Sequence, residues 1–321
     1  MAPDNFIPWA GNELSRHSES YTLDGSSLRL SDHAPKIFNG MTDVNAAVKN
    51  SAEYAEAVAQ RLTRILPSAA EFAKEIKTHL DADPRFVIVN GLQFHTLSSD
   101  IRDAFILGFC SLIGNPTKTD KVEGKIIWDV TPREYLGHTN TTFSEHNGEA
   151  EFHTDSQFFP SPERYFSLWS LKHASDGGGM NGLVDARRIT RNLISERLGA
   201  EMMEILFTTD LPFRVPTVFT EQRRDDIPEV LMAPIFAQTP YIRYRKDTLQ
   251  KGMTVKDSSL EPQVSDAIEK LEKIIADQHL VLHHFLQSGQ VLFANNHEIL
   301  HNRTSFTDKT RHLLRVRMSE R

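Results

Sequence analysis

Apolar and polar positions divide the chain into a helical front and a strand-rich remainder. Across residues 44–80 apolar side chains recur at helical spacing, broken at Leu66-Pro67-Ser68, which ends one helix and begins another. Residues 85–92 read as a strand and turn. Ser98-Ser99-Asp100 opens a further helix through Ile113, stopped by Gly114-Asn115-Pro116. The middle changes character: residues 125–130, 164–172 and 182–185 are short and β-rich, with Pro, Gly and Asn between them. A helical insert is expected over 188–208, strand-like pattern returns over 230–245, and 261–277 is the clearest helix, with Val264, Ile268, Leu271 and Ile275 on one stripe. Two strands are expected around a Ser288-Gly289 turn, and a last one over 312–318.

Residues 1–42 lack a sustained period and read as an irregular arm over the surface, leaving 43–321 as a single domain with the insert at 188–208. Helices followed by many short strands imply an α+β fold with an antiparallel core closed into a barrel or sandwich.

Composition narrows the partners. The 321 residues carry a formal charge of −7, with 39% hydrophobic positions and a pI of about 6.1. That is an ordinary globular composition, with no Lys/Arg run suited to a phosphate backbone, so nucleic acid is not expected. No stretch of about 18 apolar residues suggests a membrane span, and the start lacks a secretory pattern, so a cytoplasmic location is expected. Cys110 stands alone in an apolar run and reads as core.

Fourteen histidines invite metal chemistry. His-x-Asp is expected about once by chance in this composition and occurs twice. His79-Leu80-Asp81 ends a helical stretch, where i and i+2 point about 200° apart and cannot share an ion; it reads as a solvated helix terminus. His153-Thr154-Asp155 lies in an alternating segment, Glu151 to Phe158, where i and i+2 face one side. One imidazole and one carboxylate then offer two vertices of a 2-His-1-carboxylate face, needing a third ligand from elsewhere; a surface His-Asp pair is the plain alternative.

His297-Glu298-Ile299-Leu300-His301 competes, because it fits the H-E-x-x-H pattern of zinc hydrolases and is expected far less than once by chance. That chemistry needs a helix with both histidines on one face and Glu298 as general base. The segment instead follows a Gly turn and a strand, Thr304 and Thr307 occupy the positions of the extended zinc motif, and the distant acid would have to be something like Glu320.

Taken together, the C-terminal pieces resemble the iron(II)- and 2-oxoglutarate-dependent dioxygenases of the taurine dioxygenase and clavaminate synthase-like group, over about residues 86–318. Four features carry the resemblance: Phe152-His153-Thr154-Asp155; the segment Gly177-Gly178-Gly179-Met180-Asn181 leading to Asp185; the run from Ser288-Gly289 through Asn295-Asn296 to His301 and Arg303; and Arg311 and Arg315 beyond it. The resemblance implies a double-stranded β-helix (jelly-roll, cupin-like) core flanked by helices. It implies His153, Asp155 and His301 as catalytic metal ligands for Fe(II), with O2 and 2-oxoglutarate as co-substrates. Oxidative decarboxylation to succinate would be coupled to hydrogen abstraction from a small molecule and its hydroxylation or a related oxidation. Arg311 would hold the far carboxylate of 2-oxoglutarate. Asn181 stands where the family has Thr, and its amide can still donate a hydrogen bond. Asp155 excludes the iron halogenases, which are similar but carry a small residue there.

On a strand, Arg311, Leu313, Arg315 and Arg317 share a face, which makes Arg315 the expected clamp for an anionic group on the substrate, whereas Arg317 is expected as surface charge on an edge strand. Arg303 reads as structural. Substrate contacts are expected from 131–148 and 156–159, with Phe143 and Phe158 as pocket wall or core, and His138 and His146 as solvated loop residues. A small anionic or amino-acid-like substrate follows, with a role expected in secondary metabolism. A zinc hydrolase using His297, Glu298 and His301, and a non-catalytic member of the fold, motivated by Asn181, remain as alternatives.

Overall fold

The computed structural model describes residues 9–118, 124–133, 144–216, 228–257 and 259–321. Strands are β1 (Thr22–Asp24), β2 (Phe86–Asn90), β3 (Asn115–Thr117), β4 (Trp128–Val130), β5 (Ala150–His153), β6 (Tyr165–Lys172), β7 (Asn181–Asp185), β8 (Leu211–Arg214), β9 (Val230–Ala233), β10 (Leu282–His284), β11 (Val291–Asn295), β12 (Ile299–Arg303) and β13 (His312–Ser319). Seven form one sheet in the order β1-β2-β11-β6-β13-β3, with β4 also on β13, and four form a second in the order β10-β7-β12-β5. Every pairing in these sheets is antiparallel except β1 with β2.

Strand alternation assigns each face. Along β13, Leu314, Val316 and Met318 join Val291 and Phe293 of β11 in a cluster beneath the helices Leu30–Phe38, Ala52–Ile65, Pro67–Asp81 and Ser99–Ile113. The intervening residues Leu313, Leu292 and Ala294 face the other way and meet Leu183 of β7 and Ile299 of β12 between the sheets. Val184 and Leu300 point out of the small sheet toward a third cluster, packed with Ala186–Ile194, Gly199–Thr208 and Pro262–Ile275. The layers therefore run helices, large sheet, small sheet, helices. Their local causes are ordinary: Ser51 caps Ala52–Ile65 by accepting from the Tyr54 amide, and Tyr54, Ala55, Val58, Ala59 and Leu62 line its buried face.

Two expectations change. Residues 9–42 are not irregular throughout, since they contain Gly11–Leu14, β1 and Leu30–Phe38, the last with Ile37 and Phe38 fully buried. The two strands expected around Ser288-Gly289 are β10 and β11: β10 pairs with β7, β11 with β2 and β6, and the turn carries the chain from one sheet to the other. Within 230–245 only Val230–Ala233 is a strand, and the helix Lys246–Lys256 follows it. Cys110 is fully buried, and burial pushes its thiol up to about 12. Among the described residues no helix is long and apolar enough to cross a membrane.

Candidate metal centre

His153 ends β5 and His301 sits directly opposite it on β12, so the ladder places both imidazoles on the inner face of the small sheet with ring centroids 4.2 Å apart. Asp155 follows two residues after His153. There the chain leaves the strand: the Thr154 amide donates to the Tyr244 carbonyl (2.9 Å), and Ser156 adopts a left-handed φ of 57°. Asn296 brackets Asp155 like a peptide group, its Oδ1 accepting from the Asp155 amide (2.6 Å) and its Nδ2 donating to the Asp155 carbonyl (3.0 Å). One ligand atom from each of His153, Asp155 and His301 lies within 4.8 Å of the others, and all three residues are buried.

The electrostatics suit a cation. Burial, reinforced by His301, lowers His153 well below the usual imidazole range. Burial brings His301 down to about 4; the Asp155 carboxylate opposes this, while Arg315 and Arg317 add to it. Both rings are thus neutral, as metal ligation requires. His153 Nδ1 donates to the Glu151 carbonyl (2.7 Å), which leaves the Nε2 lone pair for coordination. Burial alone would raise Asp155, but the Arg315 and Arg317 guanidiniums outweigh it and hold the carboxyl well below the usual range. His301 Nδ1 is buried without a hydrogen-bond partner, and the Phe166 ring covers the imidazole at 4.4 Å. Two neutral imidazoles and one carboxylate fit iron(II) by ligand type.

Arg311 is 3% exposed, with its guanidinium over the Phe306 ring (4.9 Å) and Nη2 reaching the Gly179 carbonyl only at 3.5 Å, while Nη1 is buried with no partner. Gly179 is required there, because its φ is +74° and a Cβ would stand 2.7 Å from Arg311 Nε. Burial, with a contribution from Arg303, brings the guanidinium down to about 9. Such a buried cation is built for an anionic ligand.

The arginines of β13 correct one expectation. β13 lies inside the sheet between β6 and β3, so Arg317 is no surface charge: it is 6% exposed and donates to Asp155 Oδ2 (3.0 Å) and Ser156 Oγ (2.8 Å). Arg315 also reaches Asp155, through Nη1, and its Nε is buried without a partner. Asn181 lies on β7 opposite Arg303, its amide near the His284 carbonyl (3.5 Å). Phe158 belongs to the cluster on the outer side of the small sheet, against Phe159. Phe143 and His138 lie outside the described residues. Arg303 donates to the His146 and Gly148 carbonyls.

The zinc pattern is dismantled. His297 and Glu298 lie in the turn between β11 and β12 and His301 lies on β12, so no helix carries the two histidines on one face. His297 Nε2 engages the Pro162 carbonyl (3.0 Å), and Glu298 Oε2 is held by Arg85 (2.5 Å) and Arg187 (2.6 Å). Two residues escaped the sequence reading. Asn296 entered only as part of the run that leads to His301. Arg243, buried, donates to the carbonyls of Gln157, Phe159 and Pro160 and so shapes the segment after Asp155; only the apolar pattern around it hinted at burial.

The sequence model of a family described as taurine catabolism dioxygenase TauD, TfdA family, matches residues 48–317. No curated protein matches significantly. Among solved structures, asparagine oxygenase in complex with Fe(II), 2S,3S-3-hydroxyasparagine and succinate is similar at a TM-score of 0.69 and 16% identity, over 94% of this chain and 93% of that one. The non-heme iron oxygenase OrfP in complex with Fe and alpha-ketoglutaric acid is similar at 0.64 and 15%, over 94% and 93%. A mutant of OrfP in complex with (3S)-hydroxy-L-Arg is similar at 0.67 and 16%, over 93% and 94%.

Proposed function

We infer the function from one premise: the chain belongs to the TauD/TfdA family and is an iron(II)- and 2-oxoglutarate-dependent oxygenase. On that premise His153, Asp155 and His301 are the residues that hold the metal. The observation that carries this is the convergence of their three buried ligand atoms within 4.8 Å. We read the two facing sheets as the double-stranded β-helix of such enzymes, and 43–321 as one domain. When bound, iron(II) supplies sites for 2-oxoglutarate and O2 and the oxidising chemistry that yields succinate, CO2 and an oxidised substrate.

The chain's own groups do the rest. The Glu151 carbonyl fixes the His153 tautomer. Arg311 receives the far carboxylate of 2-oxoglutarate through its unpartnered Nη1, beside the loop that leads to Asn181. Arg315 offers its buried Nε to an anionic group on the substrate. Hydroxyasparagine and hydroxyarginine in the similar structures, together with this arginine, support a free amino acid or a similarly small carboxylate as the substrate, with hydroxylation as the outcome.

The test is an anaerobic visible spectrum with Fe(II), with and without 2-oxoglutarate, followed by succinate formation across a panel of free amino acids. A charge-transfer band requiring both ligands, lost in Asp155→Ala and weakened in Arg311→Met, is expected. Coupled turnover surviving in Asp155→Ala would overturn the assignment.

A further inference from the structure

We propose that Arg317 is a positioning residue of the metal centre, fixing the Asp155 carboxylate so that one oxygen is presented to the ion and the other is withheld. The inference rests on Asp155 being a metal ligand.

Two arginines touch this carboxylate, but they touch it differently. Arg315 Nη1 lies 3.3 Å from Oδ1 and 3.2 Å from Oδ2, so it straddles both oxygens and does little to define their rotation. Its Nε has no partner inside the protein. Arg317 engages Oδ2 alone, with Nε at 3.0 Å, and its Nη1 is anchored at 2.8 Å on the hydroxyl of Ser156, the next residue along the chain. The planar fork therefore ties the carboxylate to its own backbone neighbour, and rotation about the Asp155 side chain breaks one of two charge-assisted bonds. Oδ1 is left facing the imidazoles, 3.7 Å from His153 Nε2.

The frame behind Arg317 is rigid. Its backbone pairs with Phe166 on β6 and with Thr117 on β3, so the guanidinium projects from the interior of the large sheet across to the small one. Ser156 holds φ at 57° with its side chain buried, a conformation that costs a non-glycine residue and that the hydroxyl-to-arginine bond helps retain. A carboxylate pinned in this way ligates through one oxygen and leaves the neighbouring coordination positions to co-substrate and O2. The two arginines divide the work: Arg317 is spent within the protein, and Arg315 keeps a donor for a ligand.

Cobalt(II) serves as the probe, since its affinity and its visible absorption report ligand geometry without turnover. Arg317→Met is expected to bind Co(II) about 10- to 100-fold more weakly, the cost typical of losing a partner of a metal ligand, with a changed absorption intensity. Arg317→Lys is expected to recover only part of this, because an ammonium serves Oδ2 or Ser156 Oγ but not both. Circular dichroism checks the fold. Co(II) affinity and spectrum unchanged in Arg317→Met, while Asp155→Ala loses the ion, would overturn the role of Arg317 alone. Unchanged Co(II) binding in Asp155→Ala would remove the ligand assignment and this inference with it. Should Arg317→Met fail to fold, Ser156→Ala decides: a smaller loss of affinity in the same direction supports the proposal, and an unaltered Co(II) spectrum sinks it.

Discussion

Replacing Arg311 by Met should move stability and co-substrate affinity in opposite directions. Arg311 is a buried cation with no carboxylate beside it and with Nη1 unpartnered. A guanidinium brought down to about 9 carries a penalty of at most about 5 kcal/mol in its charged form. Methionine removes that penalty and keeps an aliphatic stem over Phe306. It forfeits the long bond to the Gly179 carbonyl and the cation–π contact, together about 1–2 kcal/mol. The net is a gain of about 1–3 kcal/mol, or roughly 2–4 °C in Tm for a chain of this length. Truncating one partner of a buried charge pair costs 2-oxoglutarate about 2–5 kcal/mol of affinity, some 30- to 5,000-fold. Thermal denaturation at pH 8, with and without 2-oxoglutarate and Zn(II) as a redox-silent metal, reads both effects. The wild type should gain Tm from the co-substrate and the variant should not. A variant less stable than wild type that still binds 2-oxoglutarate normally would refute the reasoning.

Glu298→Gln leaves Arg85, 8% exposed at its side chain, and the more exposed Arg187 facing a neutral amide; a loss of about 2–3 kcal/mol in urea unfolding is expected, with 2-oxoglutarate turnover retained, whereas a general base at Glu298 would predict the reverse. Asp185 is raised to about 7 by burial, despite Arg85 nearby, so its contribution is full at low pH and lost as pH rises through 7. Asp185→Asn keeps an acceptor for the Arg187 amide and should stabilise by about 2–4 kcal/mol at pH 8 and little at pH 4.5, measured by urea unfolding; equal effects at both pH values would contradict it. Arg243→Met removes the donor to three successive-segment carbonyls after Asp155 and should weaken Co(II) binding as well as lowering Tm; a drop in Tm alone would confine Arg243 to packing.

The fold was legible where local pattern and tertiary pairing agree. Apolar spacing over 44–80 with a proline break yields Ala52–Ile65 and Pro67–Asp81, because each helix buries the stripe that its sequence marks. Pairing partners were not legible. A glycine turn between two apolar runs looks like a hairpin in any sequence, yet Gly289 packs against His95 and hands the chain between sheets; a Cβ there would fall 2.6 Å from the His95 ring. The helix Lys246–Lys256 buries only Thr248, Leu249 and Gly252 along its length, which gives too narrow a stripe to register against the strand-like residues before it.

In the site, the legible residues are those whose chemistry is local. His153 and Asp155 announce themselves by their i, i+2 spacing, although β5 ends at His153 and Asp155 lies in the turn beyond it, and the distal histidine by the run that precedes it. Arg317 did not, because alternation along β13 gives it the same face as Arg315 but says nothing about what lies opposite; an edge strand and an interior one carry the same period. What moved it from surface charge to the centre of the molecule is the pairing of β13 with β6 on one side and with β3 and β4 on the other. Burial then forces the issue: a guanidinium enclosed between two sheets needs an acceptor, and the one within reach of Arg317 is the Asp155 carboxylate. Long-range pairing, rather than side-chain type, decides which of two neighbouring arginines is bound inward by the protein and which is left with a donor to spare.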